Sequence, residues 1–511
     1  EDVALGRTRS LAASLSYGFA QAFTDGERAQ LAVLHLFRDT ADADALRLMG
    51  DPDAAGEDAV PELSGLSREA ATALLDRAAG IGLLESLGAG YYRIHPALPW
   101  YFTTLYAASY GPPRAQAATR ATRAYARAIG VLGDYYHRQA EEGRTAQIVP
   151  VLGAEEANLR HGLDLARAAG LWHAAIGCLQ GLRTLHARTG RDAEWARLVA
   201  AVTPEFTDPA TGGPLPGREN QWNIVTEYRS RLAIQARDWA TATTLQNTRI
   251  VWLREQAAGA LAVPPASLTP VQRNQIRNLG AALIELGVTL RQQDDPGCLP
   301  LFQETLELDQ RTGDRPAEAQ SAFNIANAYL LLPGLRDLDQ AEQWLQRSLR
   351  LYPDSDRIGR ALCHNQLGLI ALEQFDDARA AGEADTVLLE QLNAALGRYG
   401  QALDLLPTGD HENRAITENQ LGNIYSRAGD TSQALRHYQQ SIQHKEARGD
   451  IFGAGTTRYN IALLLEGADR TGDALLYARA ALDNFQQTGP GAASYADLAR
   501  QLIAALEQGS R

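Results

Sequence analysis

From about residue 218 to its C-terminal end the chain repeats itself. The clearest unit runs from Ile416 to Asp450. Counting Leu421 as position 7, Gly422 falls at 8, Tyr425 at 11, Ala434 at 20, Tyr438 at 24 and Ser441 at 27. Such spacing predicts a hairpin of two helices. Small residues at 8 and 20 let the helices approach, and large ones at 7, 11 and 24 fill the space between neighbouring hairpins. Gly429-Asp430 supplies the turn. Ile461, Ala462, Leu465 and Ala474 repeat the pattern without a gap. Ile325, Ala326, Tyr329, Ala341, Leu345 and Ser348 repeat it with a turn enlarged at Pro333-Gly334. Leu367, Gly368 and Ala371 open another unit. Its turn is expected to be swollen by an acidic, Ala-rich insert near Asp376 to Asp385, before Leu392, Leu396, Tyr399 and Ala402 resume the second helix. Leu286-Gly287 opens an earlier unit, and Arg237 to Ala242 marks the turn of one earlier still. Five to six repeats are expected, and about three suffice to bury a continuous core.

These small and large positions resemble the tetratricopeptide pattern. The resemblance implies a mostly all-α fold, with residues 218–511 wound as a right-handed superhelix of helical hairpins. In that repeat class the first helix of each hairpin lines the concave face, through positions 2, 5, 6, 9, 12 and 13. Position 6 here reads Glu285, Asn324, Gln366, Gln420 and Asn460; position 5 adds Asn365 and Asn419; position 9 adds Asn327 and Asn423. Asn and Gln are mediocre helix formers, yet they recur on one stripe. A carboxamide offers a donor and an acceptor, so it can pair with the backbone of an extended peptide whatever its side chains. The stripe resembles that of peptide-binding repeat proteins and is expected to hold a peptide or protein ligand. The competing reading has these amides bonding one another or facing water. A basic carboxylate clamp is not expected, because Arg291 and Arg427 are the only cations at these positions and lie far apart in sequence.

The first 110 residues differ. Helical runs are expected at about 27–37, 41–49 and 67–81, then a hairpin from Leu83 to Leu87 and Tyr91 to Ile94 around Gly88-Ala89-Gly90. Three helices and a hairpin make a winged-helix-like module. A helix should follow from Pro96. Residues 111–203 read as less regular helices, and the Pro/Gly-rich stretches 204–217 and 258–270 read as loops.

Tyr91-Tyr92-Arg93-Ile94-His95-Pro96-Ala97-Leu98 resembles the end of the winged-helix domain in STAND-type signalling ATPases, the class that includes NB-ARC, AfsR-like and bacterial NLR-like proteins. Glu27 to Leu34 is similar to that domain's first helix, and Glu155-Glu156-Ala157-Asn158-Leu159-Arg160 to the stretch that opens the repeats in bacterial members. The resemblance spans about residues 1–200. It implies that His95 contacts the terminal phosphate of ADP in an intact parent, whose nucleotide-binding domain would precede Glu1. ADP or ATP would belong to that parent, and no cofactor is expected on this chain. The implied role is the ligand-sensing and regulatory region of such an ATPase. The alternatives are a free-standing adaptor scaffold and, more weakly, a winged-helix transcription regulator. For the last, the candidate recognition helix from Ser67 carries only Arg68 and Arg77 against Glu69 and Asp76.

Composition narrows the chemistry. Lys445 is the only lysine among the 511 residues and lies between His444 and Glu446. A P-loop, a lysine Schiff base and an SxxK nucleophile are therefore all missing from this chain, and no enzyme activity is expected of it. A net charge of −13 argues against non-specific nucleic-acid binding. The ten histidines form no HExxH motif and no zinc-finger spacing, so no metal site is expected. Cys178, Cys298 and Cys363 are scattered and read as core residues of a reducing compartment, consistent with a cytoplasmic location. No apolar run suits a membrane span. The start, Glu1-Asp2-Val3, shows no signal-peptide pattern and no initiating Met, which suggests a longer or processed parent.

Overall fold

A computed structural model of the chain describes Phe19 and residues 21–509. The chain divides into two compact units, Glu1–Ala236 and Arg237–Arg511.

The first unit opens with α1 (Asp25–Ala32), β1 (Thr40–Asp42), α2 (Ala43–Gly50), α3 (Arg68–Gly80), β2 (Leu84–Gly88) and β3 (Tyr91–Ile94). A capping box between Thr24 and Glu27 starts α1. The strands form one antiparallel sheet in the order β1-β3-β2. Leu31, Leu46, Met49, Leu75 and Tyr92, from these helices and from β3, are fully buried. The expected helix over 41–49 is thus shorter at its start, and the expected two-stranded hairpin gains a third strand. Asp42 explains both. Its carboxylate accepts the amide of Asp44 and caps α2, so the chain before it stays extended and pairs Thr40 with Arg93 and Ala41 with Tyr92.

The helix expected from Pro96 begins instead at Pro99, as α4 (Pro99–Tyr110). The amide of Leu98 donates to the carbonyl of His95, closing a turn that delays the helix by three residues. Then follow α5 (Gln116–Gln139), α6 (Thr145–Ala168), α7 (Trp172–Thr189), α8 (Asp192–Val202) and α9 (Glu219–Gln235). Helices α5 and α7 meet backbone to backbone. A Cβ on Gly177 would lie 2.1 Å from the carbonyl oxygen of Gly130, so this crossing admits no side chain. The loop before α9 folds back on itself. The indole of Trp222 donates to the carbonyl of Gly212 at 3.0 Å, and the Arg218 guanidinium lies 4.3 Å from the centroid of Trp172.

The second unit is a run of helical hairpins. It comprises α10 (Trp239–Leu261), α11 (Pro270–Arg291), α12 (Cys298–Thr312), α13 (Arg315–Leu331), α14 (Leu338–Leu351), α15 (Arg357–Ala381), α16 (Asp385–Leu405), α17 (His411–Arg427), α18 (Thr431–Ala447), α19 (Ile451–Glu466), α20 (Thr471–Thr488) and α21 (Ala493–Gly509). This is the tetratricopeptide-like fold the spacing anticipates. The small residue at position 8 is explained by what lies against it. A Cβ on Gly422 would lie 2.5 Å from the ring of Tyr438, one on Gly368 2.7 Å from Tyr399, and one on Gly287 2.4 Å from Phe302. The serines mark a second contact. Ser441 donates to the carbonyl of Ala415 and Ser348 to that of Ala319, each tying a second helix to the first.

One recurring signal lies outside the pattern read from sequence. Asp314, Asp356, Asp410 and Asp450 each precede the position-7 residue by the same interval, and each caps its helix by accepting an amide three residues on. The swollen turn expected near Asp376 to Asp385 is corrected. Helix α15 runs on to Ala381, Gly382 adopts a left-handed φ of 73°, and α16 begins at Asp385, so the insert lengthens both helices of the hairpin. Alanine-rich sequence is good helix, and the acidic residues find cations on either side. Arg336 donates to Glu373 and Asp377, and Arg427 to Asp376.

Candidate functional site

Three places carry the residues singled out by sequence. The first is a groove of about 730 Å³ on the first unit, lined in part by His35, Arg38, Arg93, His95, Thr103 and Gly153. His95 is exposed, just past the end of β3. Its Nδ1 accepts the backbone amide of Ala97 at 3.2 Å, which places the proton of the neutral ring on Nε2. Arg93 is bound to Glu85, and Arg38 turns its guanidinium onto the carbonyls of His35 and Phe37. His95 is thus a free donor in a groove whose two arginines are already engaged.

The second place is the segment Glu155 to Arg160, whose two faces do different work. On one face, Glu155 and Asn158 clasp β1. Thr40 donates its hydroxyl to Glu155, while Asn158 donates to Glu155 and to the Thr40 carbonyl, all at 2.9 to 3.0 Å. The Asn158 carbonyl oxygen in turn accepts from the Arg38 amide and the Tyr125 hydroxyl. Asp42 stands on the same strand, fully buried, with Tyr136 donating to it at 3.4 Å and the Tyr91 hydroxyl 2.6 Å from that of Tyr136. Burial pushes the Asp42 carboxyl up to about 6, against the pull of the Asp44 amide. Burial and the nearby Asp42 push Glu155 up to about 7.

On the other face, Glu156 and Arg160 join Arg191, Glu194 and His186. Glu156, His186 and Glu194 lie close enough to hold a cation. Two guanidinium groups fill that role instead. Arg191 bridges Glu156 and Glu194 with bonds of 2.6 to 2.8 Å, and Arg160 adds bonds to both. The arginines hold both carboxyls down at about 2. This cluster is an ion network.

The third place is the amide stripe, where the structure separates two sets. Asn365 and Asn419 are tied within the protein: each accepts, at 3.0 Å, the hydroxyl of a threonine on the next first helix, Thr417 and Thr457. Asn423 accepts from the Tyr438 hydroxyl at 2.8 Å and donates to Gln420 at 2.7 Å. Two of the eight amides, Asn365 and Asn419, therefore weld neighbouring repeats, and two more, Asn423 and Gln420, bond within their own hairpin. The other half has no such bond. Among the described residues, the side chains of Asn324, Gln366 and Asn460 have no hydrogen-bond partner. Asn327 is 3% exposed and its carbonyl oxygen is buried with no donor. Glu285, at the same position of α11, accepts from Arg249 at 2.6 Å and from Gln246 at 3.1 Å.

The residues set aside from sequence are structural. Lys445 donates to the Gly453 carbonyl and, at 2.6 Å, to Thr457, so it pins α18 to α19. Cys178, Cys298 and Cys363 are buried free thiols. Among the described residues, no helix is long and apolar enough to cross a membrane.

The tetratricopeptide repeat family profile matches residues 278–354 and 386–447. The match covers α11 to α14 and α16 to α18 and leaves out the whole of the lengthened helix α15. No curated protein sequence matches the chain. Similar solved structures include a Rap protein complexed with competence and sporulation factor, at 11% identity and a TM-score of 0.41, covering 75% of this chain and 98% of that one. The apo form of the quorum sensor NprR from B. thuringiensis has 16% identity and a TM-score of 0.37, covering 67% and 80%. A STAND protein with a tetratricopeptide repeat sensor from Pyrococcus horikoshii has 13% identity and a TM-score of 0.36, covering 95% of this chain and 54% of that one.

Proposed function

We propose that the chain is the ligand-sensing and regulatory region of a STAND-type signalling ATPase, and that it takes an extended peptide or protein segment along the first helices of its repeats. The observation that carries the ligand reading is the divided amide stripe. A buried carbonyl oxygen without a donor costs about 1–3 kcal/mol. Asn327 bears that cost in the second unit, and Asn324, Gln366 and Asn460 are also unpartnered, while Asn365, Asn419 and Asn423 are consumed by threonine and tyrosine hydroxyls. The backbone groups of an extended peptide would pair directly with the part-exposed Gln366 and Asn460, and with Asn327 once its covered amide turns outward. On this reading the chain itself carries no catalytic residue, and ADP or ATP belongs to the parent's nucleotide-binding domain.

The regulatory half of the reading is supported by His95 and the β1 clasp. An outward Nε2–H suits a phosphate oxygen. The Glu155–Asn158 clasp joins the small sheet to α6, so a strain in one is felt in the other. A ligand shifts such a device only through its differential affinity for the two states. The DNA-reading alternative is disfavoured by the two arginines of α3: Arg68 is bound to Asp44 and the Ala89 carbonyl, and Arg77 to Glu27.

The test uses a peptide selected on this protein from an unbiased library. Asn324→Ala with Asn327→Ala should weaken its binding by about tenfold or more, equivalent to about 1.4 kcal/mol. Asn365→Ala should lower thermal stability and leave that affinity nearly unchanged. Equal loss in both variants, or failure to select any peptide, would remove the groove assignment. A P-loop domain encoded upstream of Glu1 would support the ATPase parent, and a nearby start codon without one would favour the adaptor.

A further inference from the structure

A pair of histidines at the open end of one hairpin is used by none of the roles above. His411 is the first residue of α17, and His444 lies in the last turn of α18. Their Nδ1 atoms are 3.0 Å apart, with ring centroids at 5.2 Å and planes inclined by 45°. Both side chains are half-buried, so one flank faces solvent. We propose that His411 and His444 chelate a divalent transition-metal ion through their two Nδ1 atoms, with water completing its coordination.

The geometry selects the kind of ion. With metal–nitrogen bonds of about 2.0 Å, a separation of 3.0 Å subtends roughly 95° at the metal. That is the cis angle of square-planar or octahedral ions, copper(II) and nickel(II), and is narrower than a tetrahedral zinc site requires. Without metal the two nitrogens must share one proton, because a proton on each Nδ1 would set two N–H donors against one another. A metal replaces that shared proton and leaves both rings neutral.

The surroundings permit it. Arg414, one turn along α17, points its guanidinium at the carbonyls of Leu403 and Leu406. Arg448, one turn beyond His444, is bound to Glu412 at 2.9 Å. Glu418, which adds negative charge nearby, is engaged with His437 at 2.7 Å. The Asp410 carboxylate is spent on capping α17 and on the Asn413 side chain. Among the described residues no guanidinium bonds to either ring, unlike at Glu156, His186 and Glu194. The chelate would close the hairpin at the end opposite its Gly429-Asp430 turn, on the helix that carries Asn419, Gln420 and Asn423.

The experiment is titration of the purified full chain with copper(II) alone, followed by paramagnetic resonance and calorimetry. One equivalent is expected to bind with hyperfine splitting from two equatorial nitrogens. His411→Ala and His444→Ala should each weaken that step. Loss of an outer-shell partner alone costs about 10–100-fold, so loss of a ligand should cost at least as much. His186→Ala should leave it unchanged. Circular dichroism of each variant confirms folding, and His444→Gln, which keeps the side-chain bulk, should behave as His444→Ala does. Absence of a two-nitrogen signal, or its survival when His411 and His444 are both replaced by alanine, overturns the proposal, as does its loss in His186→Ala.

Discussion

At the scale of single residues, Gly422 shows how the repeat pattern becomes energy. Its missing Cβ makes room for the face of Tyr438, whose hydroxyl is held by Asn423, so the ring cannot swing aside. Gly422→Ala should therefore destabilise the chain by about 1–3 kcal/mol in urea unfolding, whatever the substitution does for helix propensity. Asn365 and Thr417 give a second case. A double-mutant cycle of Asn365→Ala and Thr417→Val should return a coupling of about 1 kcal/mol. Zero coupling would show that this amide is not a weld between repeats. The residue types on the stripe were legible from spacing alone. Which of them were already spent was not, because their partners lie 38 and 52 residues away in sequence.

Among the elements, the lengthened hairpin of α15 and α16 departs most from the repeat. Its acidic residues read as turn because composition alone does not distinguish a solvated loop from a helix whose charges are met by neighbours. Arg336 and Arg427, from the repeats on either side, meet them. These pairs are partly exposed and each is worth roughly 0–1 kcal/mol. Replacing both arginines by alanine should speed hydrogen exchange across residues 376–390 while leaving the global unfolding midpoint nearly unchanged. Strand β1 was missed for a related reason. Three residues carry little periodicity, and Thr40 to Asp42 is a strand only because β3 lies beside it.

For the molecule as a whole, the β1 clasp makes stability depend on pH. Asp42 and Glu155 are carboxyls whose folded values, about 6 and about 7, lie above their ordinary ones. The folded state thus holds protons that the unfolded chain has released, and stability falls as pH rises through the interval from about 4 to 7. Either group alone accounts for roughly 3 kcal/mol above that interval. The unfolding midpoint should therefore drop between pH 5 and pH 8, and Glu155→Gln, which keeps the acceptor for Thr40, should flatten the drop. A midpoint that rises over the same range in the unsubstituted chain would contradict the buried arrangement.

The sequence by itself determined the hairpin repeat, its small and large positions and the amide stripe, because each is set by local periodicity and side-chain size. It also excluded chemistry that needs a second lysine. Only the tertiary structure decided which amides remain available, that Glu155 to Arg160 is a two-faced junction, and that His411 and His444 meet. The physical reason is common to all three. Burial and hydrogen-bond saturation depend on which helices lie side by side, and that is set by the packing of elements distant in sequence.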